Sequence, residues 1–437
     1  MNLPEKVRSA GVVGAGGAGF PTHVKLRGKA EVIIANGAEC EPLLGGDRWL
    51  MANFAGRIAD GLRAAADSVG ASRAIAAIKG KYSEAVAAMR EALGGVAEIL
   101  LLDDFYPAGD EQEITYEATG RVVPEGGIPL DVGVVVSNVE TLFNVAGALE
   151  GEPVTRKLVS VAGSVRNPSL VWAPIGLSFG DLVAAVGGPT VSEFFIAVGG
   201  PLMGQITYDL LTPVTKTTNA VILLPRGHPL EGRISLRPGT AVHLAAAYCT
   251  QCRDCTDLCP RYLLGHSMEP HRVMRALACS KLGDGLIPTV LLCSECGCCE
   301  LYACPMGLMP RKVITELKGK LLREGRRWGL RKESYLPRPE RETGRIPVSR
   351  ITSRLRLSRF ETPTSLLPDD RLSFRKLSIP LKQHIGSPAS PTVKVGDRVR
   401  AGDIVGDLSG GVLGAPVHSP IDGTVVSVDS DRVEIEP

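Results

Sequence analysis

The first third of the chain alternates between short apolar runs and amphipathic stretches. Residues 31–35, apolar after Glu31, and 132–136 have the apolar run and length expected for strands buried on both faces, and 74–79 and 97–102 read as further strands. Between them, residues 48–69 and 82–93 repeat apolar positions at helical spacing. Strand alternating with helix predicts a parallel sheet covered on both faces, with a ligand beyond the carboxyl ends of its strands. The first and last of those strands run into the polar loops 36–42 and 137–141, which therefore lie where a ligand is expected.

The pattern changes near residue 155. Residues 157–165 alternate like a strand, 178–186 read as a short capped helix, and 194–204 as a strand closed by a glycine turn. Helical periodicity returns around His271, within 260–290, and over 312–323. Residues 325–375 are rich in arginine, proline and serine and read as a wrapping segment or linker. Its basic residues are expected to form a solvated surface, with docking of an acidic partner as the alternative. From 376 onward, short apolar segments are separated by Gly-Asp turns, the pattern of a short-stranded β domain. These shifts predict a multidomain α/β and α+β protein divided at 1–152, 153–235, 236–325, 326–375 and 376–437.

Composition changes this picture little. With 49 basic and 47 acidic residues among 437, the formal charge of +2 makes no case for nucleic acid. No apolar run approaches bilayer-spanning length, and no targeting segment is recognisable, so a cytoplasmic location is expected.

The cysteines carry the first specific chemistry. Cys249, Cys252, Cys255 and Cys259, then Cys293, Cys296, Cys299 and Cys304, form two runs of three cysteines two residues apart, followed by a fourth before proline. Paired 4Fe-4S clusters are held by this spacing in bacterial ferredoxins, where the fourth cysteine ligates the other cluster. One cluster is therefore expected on Cys249, Cys252, Cys255 and Cys304, and the other on Cys293, Cys296, Cys299 and Cys259. The second run carries one extra residue before its last cysteine. Zinc is the alternative for paired CxxC motifs, but eight cysteines exceed what one ion needs. Cys40, Cys279 and Cys298 are left over, and Cys299 rather than Cys298 keeps the spacing.

Gly14, Gly16, Gly17 and Gly19, with Ala18 among them, form a loop whose amides can approach a phosphate or a flat ring, or a flexible turn. The segments GAGGAGFPTHVK, NGAECEP and SNVETLFN resemble the FMN- and NADH-binding motifs of the respiratory complex I flavoprotein, and more closely those of the RnfC family. That resemblance implies FMN and NADH as cofactors. It places Gly14, Gly16, Gly17, Ala18 and Gly19 against the flavin and its phosphate and brings Lys25 into contact with FMN. Asn36 and Asn138 would hydrogen-bond its oxygens, with Thr141 nearby, and Glu39 and Glu41 would lie near flavin and nicotinamide. Tyr106 to Glu111 resembles a segment that helps to form the flavin pocket. On residue chemistry alone, the acidic residues are equally loop carboxylates and the asparagines caps or turn formers. Two departures bear on NADH: Ala15 and Ala38 replace an arginine and an aspartate of the complex I pattern.

Residues 155–225 resemble the SLBB module, read here as a spacer between flavin and clusters. The C-terminal segment resembles the barrel-sandwich hybrid fold of lipoyl domains. Its expected hairpin tip, 409–414, has no lysine to carry a cofactor, so the covalent arm is read as absent. With its barrel at the carboxyl end, the chain resembles the PduS family of cobalamin reductases from propanediol-utilisation microcompartments. This implies NADH-dependent reduction of cobalamin through FMN and two 4Fe-4S clusters, with an adenosyltransferase and shell proteins as partners and a microcompartment as location. The alternatives are an RnfC-like protein passing electrons to ferredoxin or another partner, and a non-catalytic iron-sulfur relay or scaffold.

Overall fold

The computed structural model describes residues 1–278, 287–329, 334–409 and 411–437. Cys279 lies outside them, as do parts of the 260–290 helical stretch and of the 409–414 tip. Strands β1 (Val32–Gly37), β2 (Arg73–Lys79), β3 (Glu98–Leu102) and, after the two-residue β4 (Phe105–Tyr106), β5 (Val134–Asn138) build the first domain. Four of them form a parallel sheet in the order β3-β2-β1-β5. Continuous apolar runs suit it because both faces are covered. Ile33 and Ala35 of β1 face a cluster with helices Ala55–Val69 and Val139–Glu150, whereas Val32 and Ile34 face Ile114 of helix Glu111–Thr119.

The helix expected over 48–69 is two, Gly46–Asn53 and Ala55–Val69, broken at Phe54. The Phe54 ring packs between Trp49, tilted at 5.7 Å, and Phe143, edge-on at 5.5 Å between centroids, and apolar spacing continuing across the break hides it from periodicity. At Gly61 a Cβ would lie 1.9 Å from the Leu142 carbonyl oxygen, so only glycine lets the two long helices meet there.

The second domain is a five-stranded mixed sheet of β6 (Arg156–Gly163), β7 (Ser169–Pro174), β8 (Phe194–Val198), β9 (Gln205–Thr207) and β10 (Ala220–Pro225), in the order β7-β6-β10-β8-β9. Helix Phe179–Ala185 packs on it, capped by the Ser178 hydroxyl accepting from the Asp181 amide. The cysteine runs lie among helices Pro238–Tyr248, Pro270–Ala278 and Pro310–Arg323. At the end of the chain, Leu377–Pro380, Arg432–Glu436, Gly423–Val428 and Arg398–Val399 form one antiparallel sheet. Ser390–Pro391, Ile404–Asp407 and Val417–His418 form a second. One continuous apolar cluster contains Ile33, Val159 and Val405, so the first, second and last domains share a core.

The arginine-rich stretch does not present all its charge to water. Ile346–Pro347 pairs antiparallel with β4, and Arg341 is buried between Glu113 (2.6 Å) and Glu117 (2.5 Å) of the first domain. Arg345 pairs with Glu117 and Asp103, and Arg156 of the second domain with Asp369. The acidic partner of this strap is the chain itself. Among the described residues no helix is long and apolar enough to cross a membrane.

Candidate functional site

The sheet order reverses beside β1: the chain runs from β1 through β2 to β3 on one side and returns to place β5 on the other. A crevice opens at such a reversal, beyond the carboxyl ends of the two strands. Asn36 and Asn138 are register partners at those ends. The glycine-rich loop crosses above them, anchored where the Ala15 amide donates to Thr141 Oγ1 at 2.9 Å. A Cβ on Gly16 would meet the Asn138 side chain at 3.0 Å, while Gly17 faces open space. The amides of Gly16, Gly17 and Ala18 are exposed and donate to no acceptor among the described residues. Behind them Asn138 caps helix Val139–Glu150, accepting from the Glu140 amide at 2.9 Å. Bare amides beside the positive end of a twelve-residue helix fit an anionic phosphate, and a loop without side chains fits the approach of a flat ring. The residues present therefore fit FMN.

The other residues singled out from the sequence divide into two groups. Asn138 Nδ2 donates to Asp47 at 2.8 Å, and Lys25 donates to the Val136 carbonyl and to Glu111, both at 2.8 Å, so these line the crevice wall. Asn36 donates to the Gly109 carbonyl at 2.9 Å and accepts from the Ala38 amide, tying down the loop that follows β4. Glu39, at φ 36°, accepts from the Asp47 amide at 2.8 Å, and its buried Oε2 has no partner among the described residues. Burial pushes Glu39 above the usual carboxylate range, and burial with the nearby Glu39 and Glu140 charges raises Asp47 to about 8. Glu41 turns the other way: it accepts from the Leu202 and Met203 amides of the second domain at 2.8 Å each. Burial raises it to about 7.

The cysteines gather in two cavities. Cys249, Cys252, Cys255 and Cys304 line one, and Cys259, Cys293, Cys296, Cys298 and Cys299 line the other. In each, the residues on either side of the middle cysteine are left-handed: Gln251 and Arg253 at φ 59° and 75°, Glu295 and Gly297 at 62° and 83°. Only one of the four is glycine, so the other three hold a conformation costing about 1 kcal/mol or more each. This backbone reversal turns successive cysteines inward. The extra residue of the second run is absorbed by a π-helical turn, Cys298–Ala303, the form that accommodates an inserted residue in a helix.

Donors to sulfur surround both cavities: Gln251 Nε2 to Cys249 at 3.1 Å, the Leu308 amide to Cys304 and the Glu295 amide to Cys293, both at 3.3 Å. Burial, reinforced by neighbouring cysteines, pushes the Cys255 thiol up to about 12 and Cys293 to about 11. Cys296 differs, lowered to about 7 chiefly by its hydrogen bond with Cys298, and for the raised thiols a cationic core would favour the thiolate. Sulfurs round a single tetrahedral zinc lie about 3.8 Å apart. No group of three or more His, Cys, Asp or Glu side chains among the described residues is arranged for a single ion. Cysteines that line one pocket and follow the CxxCxxC spacing with a fourth from the other run fit a 4Fe-4S cluster. Cys298 lines the second cavity and, like Cys296, joins the apolar cluster of Tyr106 and Leu202.

Two buried contacts, neither evident in the sequence, join the crevice domain to the second cavity. Tyr106 Oη donates to the Cys296 carbonyl at 2.7 Å. Arg261, two residues after Cys259, makes a two-pronged ion pair with Asp110 at 2.7 and 3.0 Å. Asp110 also caps helix Glu111–Thr119. Burial raises its carboxyl, but Arg261 and the helix amides outweigh that and hold it below the usual range. The cap had a local signal, Asp followed at the third position by Glu113; a pairing 151 residues away had none.

Comparison with known proteins gives four matches along the chain. They are the Nuo51 FMN-binding domain over 7–147, the SLBB domain over 158–205, a 4Fe-4S dicluster domain over 248–309 and the RnfC barrel sandwich hybrid domain over 370–436. The chain is 41% identical over 437 residues to the cobalamin reductase PduS of Salmonella typhimurium, spanning 99% of this chain and 96% of that protein. It is 42% identical over 440 residues to the Citrobacter freundii cobalamin reductase PduS, spanning 100% and 96%. It is 36% identical over 269 residues to a component of the ion-translocating oxidoreductase complex of Erwinia tasmaniensis, spanning 60% of this chain and 32% of that protein.

Proposed function

From the premise that this chain belongs to the family of the cobalamin reductase PduS, we infer that it is an NADH-dependent iron-sulfur flavoprotein that reduces cobalamin. The observation that carries the reading is the pair of cysteine-lined cavities, the second fastened to the crevice domain through Tyr106 and Asp110. When bound, FMN exchanges electrons in pairs with a nicotinamide, and 4Fe-4S clusters pass them singly.

The chain's own residues provide position and electrostatics. The amides of Gly16, Gly17 and Ala18 and the start of helix Val139–Glu150 bind the flavin phosphate, and Asp47 orients the Asn138 amide that supports this loop. Lys25 holds positive charge at the crevice wall. Cys259, Cys293, Cys296 and Cys299 hold the inner cluster, next to the flavin domain. Cys249, Cys252, Cys255 and Cys304 hold the outer one, where Cys252 is exposed and an acceptor can approach. Glu41 fixes the second domain's loop against the first. The corrinoid product serves an adenosyltransferase, and the protein works inside a microcompartment bounded by shell proteins.

Anaerobic reconstitution with iron, sulfide and FMN, followed by NADH titration in the presence of hydroxocobalamin, tests the reading. The flavin band should bleach and the spectrum of cob(II)alamin should appear. Bleaching without any cob(II)alamin would remove the corrinoid from the account and leave a general NADH-oxidising flavoprotein.

A further inference from the structure

We propose that Lys216 is a positioning residue for the flavin loop, pinning the loop's root to the second and C-terminal domains, so that a barrel without a cofactor arm serves as the loop's rigid backing. This rests on the reading that the loop 14–19 binds FMN.

Lys216 is 2% exposed, and its Nζ donates to two backbone carbonyls in two other domains, Gly11 and Pro416, at 2.7 Å each. No carboxylate pairs with it among the described residues. Loss of water lowers its pKa to about 7, and an amine with two N–H bonds matches two carbonyl acceptors. An apolar side chain of this length would fill the space without that desolvation cost, so packing alone does not account for a lysine here.

Gly11, at φ 68°, is shaped to this contact: a Cβ there would lie 2.6 Å from Lys216 Nζ and from the Pro416 oxygen. The same two domains also grip the far end of the loop. The Lys216 amide donates to Gln383 Oε1 at 3.0 Å, and two residues beyond Gln383 the Ile385 amide donates to the Ala18 carbonyl at 3.2 Å. Gly19, at φ 74°, packs so closely that a Cβ would meet Thr217 at 2.9 Å and His384 Cα at 3.0 Å. The root of the loop is thus held through Lys216, which also reaches Pro416, and its far end by Thr217 and 383–385, so the second and C-terminal domains contact both ends. The exposed amides of Gly16 to Ala18 lie between the two anchors.

The test uses the full-length reconstituted protein and two variants, Lys216→Met and Gln383→Leu. Three quantities are measured: the FMN dissociation constant from quenching of flavin fluorescence, iron per chain, and the thermal midpoint. Lys216→Met should weaken FMN binding about 10- to 100-fold, and Gln383→Leu several-fold, with iron per chain unchanged in both. An unchanged FMN dissociation constant in a folded variant, even with a lowered thermal midpoint, overturns the proposal, because a purely structural lysine would behave in that way. Should Lys216→Met lose its iron as well, Gln383→Leu alone decides by the same criterion. Failure of the wild-type protein to bind FMN would overturn the underlying reading of the loop, an outcome distinct from equal binding by wild type and variant.

Discussion

Arg261→Met is the sharpest perturbation of the joint between the crevice and the inner cysteine cavity. The guanidinium donates to both oxygens of Asp110, with side-chain exposures of 9% and 15%. Removing one member of a buried pair leaves the other charge unpaired and costs about 3–5 kcal/mol. Two features put this case near the lower bound: Asp110 is not fully enclosed, and it keeps the Gln112 and Glu113 amides as donors. The expectation is therefore about 3 kcal/mol. Asp110→Asn separates the roles of the carboxylate, because asparagine still caps the helix but leaves no charge. In that background Arg261→Met should cost about 1 kcal/mol or less, giving a coupling of about 2 kcal/mol. Anaerobic urea unfolding of the reconstituted protein, followed by loss of cluster absorbance, measures both costs. Stopped-flow mixing with NADH should also show slower cluster reduction after flavin reduction in the single variant. A cost for Arg261→Met below 1 kcal/mol, or an equal cost in both backgrounds, would refute the claim that this pair fastens the two units.

Three further outcomes are expected. Arg341→Met strands Glu113, while Glu117 keeps Arg345, and should cost about 3 kcal/mol, read as a lower urea midpoint and as faster proteolytic cleavage within residues 334–375. Cys299→Ala should reduce iron from about eight to about four per chain, whereas Cys298→Ala should leave about eight, counted by iron assay and electron paramagnetic resonance. His23 and His418, lowered to about 4 chiefly by burial, stay neutral in the fold while the unfolded chain protonates near 6.5. Their contribution is therefore constant above pH 6.5 and falls as the pH drops towards 4, with a slope approaching ~1.4 kcal/mol per pH unit for each imidazole. Urea midpoints at pH 7, 6 and 5 check this, and His418→Gln should flatten the curve.

The sequence was most informative where a feature is local. β1 and β5 were legible because strands buried on both faces need unbroken apolar runs, and the cysteine loops because ligand spacing is fixed over a dozen residues. The π-helical turn at Cys298–Ala303 was visible only as one residue too many; it packs against helices later in the chain, Pro310–Arg323 and Val348–Arg354. Contacts across long separations left no trace. Glu41 lies in a motif that points to the crevice, yet its carboxylate is claimed by amides 161 and 162 residues away. Arg341 and Arg345 looked like solvated charge because their partners, Glu113 and Glu117, sit on a helix more than two hundred residues earlier. Lys216 carried no motif at all, since its acceptors are backbone carbonyls that any residue supplies.

The central claim is that two cubanes occupy the two cysteine cavities, and anomalous diffraction at the iron edge from reconstituted crystals tests it most directly. Two compact iron peaks are predicted, one bounded by Cys249, Cys252, Cys255 and Cys304, the other by Cys259, Cys293, Cys296 and Cys299. A single peak, a lone ion held by a few thiols, or iron bonded to Cys298 in place of Cys299 would contradict it.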